Sequence, residues 1–194
     1  MSESGWLVVG LGNPGPTYAG HRHNVGFLVV DELVQRAAAR FKAASRLRSE
    51  VAEVRLGPLP GIRAVLGKPR TFMNDSGAAV SALARFYSVA VDHLVVVHDE
   101  LDIPFDTMRV KRGGGDNGHN GLKSIRASLS TGEFYRVRIG IGRPPGRQDP
   151  AAWVLSNFAK TERELLPTIV DRAADAVETL LGDGLDAAQQ RYNS

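Results

Sequence analysis

Apolar positions in this chain fall into short solid runs and longer helical stripes, and the two alternate. Trp6-Leu7-Val8-Val9-Gly10-Leu11 is an apolar run ending in glycines, the mark of a buried strand. Over residues 25–41 apolar residues recur at helical spacing (Val25, Leu28, Val29, Leu33, Val34, Ala37), which predicts a helix. Residues 49–57 and 62–67 alternate, and Gly57-Pro58-Leu59-Pro60-Gly61 between them reads as the turn of a strand pair. A helix capped by Asp75 or Ser76 is predicted to run to Tyr87, with Val80, Leu83, Ala84 and Tyr87 on one face. Residues 94–97 are a second buried strand, running into His98-Asp99-Glu100. Residues 122–129 read as a helix and 135–141 as a strand. Thr161-x-x-Glu164 has the form of a capping box ahead of an apolar stripe that reaches Leu180. Strands alternating with helices predict an α/β layered domain, and the hairpin makes its sheet mixed.

Length and composition narrow the class. A chain of 194 residues fits one domain, and 43% hydrophobic with 23% charged residues is ordinary for a globular protein with a real core. No run approaches the roughly 18 apolar residues of a membrane helix. Met1-Ser2-Glu3-Ser4-Gly5 has neither the basic nor the apolar part of a secretory signal, so a cytoplasmic protein is expected. With no cysteine there is no disulfide, Cys-zinc site or thiol nucleophile. The net charge of +3 hides an uneven distribution. Residues 1–108 sum to zero, residues 109–147 to +7, and residues 148–194 to −4. A basic third of this kind suits a polyanion-binding face, although the same charges scattered over a surface would be mere solvation.

Gly10-Leu11-Gly12-Asn13-Pro14-Gly15 matches the dinucleotide fingerprint in letters only. A pyrophosphate needs free N–H groups at a helix start, and Pro14 and Pro16 remove two of them. The loop reads better as a tight turn presenting Asn13 at the carboxyl edge of a strand, where ligands of open α/β sheets gather. Asn13, His23, Asn24, Asn74, His98, Asp99, His119 and Asn120 all fall at loop positions or strand ends. Singly, each has a bland reading as a turn former, helix cap or satisfied histidine. Jointly, they suit one cleft in which His23 returns from the first strand end to lie near Asp99. The carboxylate would then fix the imidazole tautomer and raise its basicity, so that the ring takes a proton from water. Asn side chains add uncharged donors and acceptors for amides or an oxyanion. Ser76 lacks the setting of a nucleophile elbow, and His21-x-His23 alone is a weak zinc signal. Five of the nine residues 113–121 are glycine, and basic residues flank them, so backbone N–H groups could approach a phosphate closely.

Six segments, VVGLGNPGPTY (8–18), RHNVGF (22–27), KPRTFMNDSG (68–77), VVVHDELDIP (95–104), KRGGGDNGHNGLKS (111–124) and RVRIGIGRP (136–144), resemble the bacterial-type peptidyl-tRNA hydrolase family in order and spacing. The resemblance implies a single α/β domain over residues 1–194, a mixed twisted sheet flanked by helices, with 161–194 as C-terminal helices. Residues 145–160 are a lid segment by composition. The implied activity is metal-independent hydrolysis of the ester joining a peptide to the 3′ ribose of tRNA, which recycles tRNA from stalled translation. No metal and no cofactor are implied, the partner is peptidyl-tRNA rather than a membrane, and a monomer is expected. The alternative is a catalytically silent RNA-binding protein of the same fold. By match to the motifs, His23 is the general base and Asp99 the carboxylate that orients it. Asn13, Asn74 and Asn120 hold substrate and water, Tyr18 walls the cleft, and Met73 and His119 join the substrate contacts. Lys111 and Arg138 are the basic pair that clamps the tRNA 5′-phosphate. Asp116-Asn117 departs from the family's usual glycine-rich loop, where acidic or bulky residues are fewer.

Overall fold

The computed structural model describes residues 5–193, so residues 1–4, most of the stretch read for a secretory signal, lie outside the described residues. The strands are β1 (Trp6–Gly10), β2 (Lys42–Ala44), β3 (Ser49–Leu56), β4 (Ile62–Pro69), β5 (Leu94–Glu100), β6 (Met108–Arg112) and β7 (Tyr135–Gly140). The helices are α1 (Val25–Arg36), α2 (Ser76–Phe86), α3 (Asn120–Leu129), α4 (Pro150–Val154), α5 (Lys160–Asp183) and α6 (Leu185–Tyr192). One sheet runs in the order β2-β3-β4-β1-β5-β7-β6. β4, β1, β5 and β7 are parallel, and the β2–β3, β3–β4 and β6–β7 pairs are antiparallel. The sheet is therefore mixed, as the hairpin required.

The solid apolar runs have a direct cause. Val8, Val95 and Val97 pack on one side of the sheet with Val29 and Leu33 of α1 and Ala173 and Val177 of α5. Leu7, Val9, Leu94 and Val96 pack on the other side with Val80 and Leu83 of α2 and Leu122 and Ile125 of α3. A strand covered on both faces needs apolar residues at every position, not at alternate ones. The chain leaves β1 toward β4 on one side and reaches β5 on the other. The carboxyl ends of β4, β1 and β5 thus open a crevice at the point where the strand order reverses.

Several boundaries differ from the sequence expectation. The first helix stops at Arg36 rather than near residue 41, because Ala38 turns into the left-handed region (φ 52°). Ala38 and Ala39 then bond back to Gln35 and Val34, the closing pattern of a helix end. β2 and β6 are strands the pattern does not predict: the first has three residues, and charged residues mask the alternation of Met108-Arg109-Val110-Lys111-Arg112. The last long helix starts at Lys160, before the expected box at Thr161 and Glu164. Glu162 reaches back to the Ala159 N–H (2.8 Å) while also receiving Arg22 (2.7 Å), and this double role fixes the start. Among the described residues no helix is long and apolar enough to cross a membrane.

Candidate active site

A short 3₁₀ turn, Arg22–Asn24, leads into α1 and carries His23. Two glycines let this turn sit against the sheet. A Cβ on Gly26 would lie 2.4 Å from the Val97 carbonyl oxygen, and one on Gly10 would lie 2.2 Å from that of Gly26. Such distances exclude any side chain, so the start of α1 lies directly on the ends of β1 and β5. His23 there meets Asp99, the penultimate residue of β5. Its Nδ1 lies 2.8 and 3.0 Å from the two carboxylate oxygens, and both residues are buried.

Asp99 has a second imidazole partner. His119 caps α3: its Nδ1 accepts from the Gly121 and Leu122 N–H groups (3.1 and 3.3 Å). A nitrogen that accepts two N–H groups carries no proton, so the ring proton sits on Nε2 and is donated to Asp99 (2.9 Å). His23 likewise donates from Nδ1, which leaves its Nε2 lone pair free on a ring that lines the cleft. Burial by itself would lower the His23 pKa, but the charge and hydrogen bond of Asp99 outweigh it and the net direction is upward from 6.5. Burial would raise the Asp99 carboxyl, yet His23 and His119 together hold it well below the usual carboxylate range. The ligating atoms of His23, Asp99 and His119 lie within 4.8 Å of one another, but they are already joined through N–H protons that a metal ion would have to displace.

The Asn residues are oriented too. The Met73 N–H donates to Asn13 Oδ1 (2.7 Å), so Asn13 Nδ2 keeps its two donors for the cleft. Asn24 clasps the Asn13 backbone reciprocally, accepting from its N–H and donating to its carbonyl, both at 2.9 Å. Asn13, Tyr18, His23, Phe72, Met73, Asn74, Asn120 and Leu155 line one cavity of about 270 Å³. Tyr18 and Phe72 meet edge to face there at 6.0 Å. His23, Asp99, His119 and Asn120 line an adjoining hollow closed by Pro150 and Ala151 of α4. Of the sequence-predicted residues, Asn13, Tyr18, His23, Met73, Asn74, Asp99, His119 and Asn120 therefore meet in one cleft. Lys111 and Arg138 stand apart, in a neighbouring basic cavity of about 290 Å³. Among the described residues neither side chain hydrogen-bonds a protein group. Burial, and then the nearby Arg138 and Arg136, lower the Lys111 pKa, and the opposing charge of Glu100 does not offset them.

Residue-by-residue sequence reading gave no role to three side chains. Asn24 reads in sequence as one polar loop residue among several, and its clasp on Asn13 is visible only in space. Arg22, 3% exposed, stacks on Trp153 (3.4 Å) and bonds Ser156, Asn157 and Glu162, tying the segment around α4 to the turn that bears His23. Arg136, in sequence one of the charges of the basic third, is 1% exposed and holds the Gly114 and Gly115 carbonyls of the glycine-rich loop. Its burial, followed by Arg126 and Arg138, brings its pKa down to about 10. The place of Arg22 beside His23 is a hint the sequence offers, whereas Arg136 lies 21 residues beyond Gly115 and nothing local marks its contact with the loop.

The model of the family described as peptidyl-tRNA hydrolase matches residues 7–194. The peptidyl-tRNA hydrolase of Frankia casuarinae is 60% identical over 97% of this chain and 94% of its own length. That of Streptomyces coelicolor is 57% identical over 97% of this chain and 95% of its own. The crystal structure of peptidyl-tRNA hydrolase from Acinetobacter baumannii superposes with a TM-score of 0.89 at 34% identity, covering 98% of this chain and 95% of that one. With the site built from the same six segments that carry the resemblance, the chain belongs to the peptidyl-tRNA hydrolase family.

Proposed function

We propose that this protein hydrolyses the ester between a peptide and the 3′ ribose of tRNA, with His23 as general base and Asp99 as the group that orients it. The observation that carries this reading is the His23–Asp99 contact at 2.8 Å, which leaves Nε2 free beside the cleft. Nε2 takes a proton from water, and the water oxygen attacks the ester carbonyl. As negative charge builds on the carbonyl oxygen, Asn13 Nδ2 is the donor best fixed to meet it, with Asn74 and Asn120 on the same cavity. The C–O bond to the ribose then breaks, and the histidinium returns its proton to the leaving 3′ oxygen. Tyr18, Phe72, Met73 and Leu155 offer an apolar wall to the peptide. Lys111 and Arg138 receive the tRNA 5′-phosphate, placing the RNA without reading its sequence. His119 acts beside the substrate, holding Asp99 from the far side. The reading includes a monomer that acts where tRNA is used, in the cytoplasm.

The test is release of tRNA from N-acetyl-aminoacyl-tRNA compared with unblocked aminoacyl-tRNA. Selective turnover of the blocked substrate is expected, together with its loss in His23→Ala at unchanged folding. General-base help is typically worth about 10²- to 10⁴-fold, so near-normal turnover in that variant removes the base assignment. Tight RNA binding without release would instead leave a silent RNA-binding protein.

A further inference from the structure

Glu100 and Asn117 line both the hollow that holds His23 and Asp99 and the basic cavity that holds Lys111 and Arg138. They form the partition between the two. Asn117 sits in the left-handed region (φ 50°), which asparagine tolerates better than most residues. Its Nδ2 donates to Glu100 Oε1 at 2.5 Å and to Asp102 Oδ2 at 2.7 Å. Carboxylate oxygens only accept, so the amide nitrogen must face them. Arg143 anchors Asp102 from the other side (2.6 Å), and with Asn117 it keeps that carboxyl below its ordinary range. Glu100 is 4% exposed, and its Oε1 also faces the Asp102 N–H (3.3 Å). Its Oε2 is thereby held 3.9 Å from Arg138 Nε, near enough to act as a counter-charge and too far to hydrogen-bond.

We propose that Asn117 is a positioning residue that holds the Glu100 carboxylate back from Arg138, so that the guanidinium keeps its donors free for an RNA phosphate. Lys111 lines the same cavity and also keeps its donors free. Without the Asn117 amide, Glu100 loses its shortest bond and turns onto the two cations, filling the phosphate site from within. The inference rests on the assignment of Lys111 and Arg138 as a phosphate clamp.

The experiment compares KM for one blocked aminoacyl-tRNA carrying either a 5′-phosphate or a 5′-hydroxyl, in wild type, Asn117→Gly and Asn117→Gly with Glu100→Gln. Glycine adopts a positive φ freely, so the first variant removes the amide without straining the turn. Wild type is expected to favour the phosphorylated substrate. Asn117→Gly is expected to lose that preference through a rise in KM of about tenfold for the phosphorylated substrate alone, the size of effect a charged contact gives. Glu100→Gln, which cannot neutralise the cations, is expected to restore the preference in the double variant. A loop that had merely become disordered would raise KM for both substrates and would not be rescued, and this result overturns the proposal. If wild type shows no preference, the clamp assignment fails first. If wild type shows it and Asn117→Gly retains it, the clamp stands and the role of Asn117 falls.

Discussion

Replacing Asp99 with Asn tests the catalytic geometry most severely, because the structure dictates how the amide must sit. The carboxylate of Asp99 now receives two N–H groups, from His23 Nδ1 and His119 Nε2. An amide offers one oxygen and one NH2 group. His119 cannot move its proton, since its Nδ1 is committed to the Gly121 and Leu122 N–H groups at the start of α3. The new oxygen therefore turns to His119, and the NH2 faces His23 Nδ1. That nitrogen must become an acceptor, which moves the His23 proton to Nε2 and abolishes the base. Keeping the productive tautomer would instead set two donors against each other at His119, a buried mismatch costing about 1–3 kcal/mol. Roughly ten- to a hundredfold of the activity is lost through tautomer population alone. Loss of the negative charge that supports the imidazolium adds to this, so kcat is expected to fall about 10³- to 10⁴-fold, the upper range of general-base catalysis. Single-turnover release of tRNA from N-acetyl-aminoacyl-tRNA measures it. The acid limb of the wild-type pH profile should lie above 6.5, since His23 must be unprotonated and Asp99 raises its pKa; in Asp99→Asn it should move down. Adding His119→Ala frees the amide to turn its oxygen to His23, and about tenfold of the loss should return. Activity of Asp99→Asn within tenfold of wild type, with an unmoved acid limb, would refute the tautomer argument.

Asn24→Ala removes the clasp on the Asn13 backbone, and kcat should fall more than tenfold while KM changes little, because a donor is misplaced rather than a binding surface lost. Arg22→Ala leaves Glu162 without its buried partner and should lower stability by about 3 kcal/mol in urea titration, with faster amide exchange concentrated around α4. Asp99, depressed in the folded state, stabilises the fold above its unfolded value of 3.8, and that contribution disappears as pH falls toward the folded value. Acid unfolding of Asp99→Asn should accordingly be less steep, by tryptophan fluorescence. Lys111→Ala should raise KM for full tRNA substrates and flatten their salt dependence, and equal effects on short acyl-nucleotides would remove the phosphate contact.

Burial on both faces writes itself as an unbroken apolar run, so the buried strands, the helical stripes and therefore the α/β class are legible before any folding. Asn13 and Asp99 are also legible as polar residues that close apolar runs, at the carboxyl edge where ligands of open α/β sheets gather. The strand at 42–44 is too short and exposed to leave a pattern, and in the strand at 108–112 charged residues mask the alternation of the buried Met108 and Val110. Tertiary structure adds that Asp99 serves two histidines rather than one, and that His119 is fixed in one tautomer by a helix start. It alone turned Arg22 and Arg136 from surface charge into buried braces, and set Asn117 against Glu100. A hydrogen bond between residues far apart in the chain leaves no period and no local propensity, so its partners can be named only once the chain has folded back on itself.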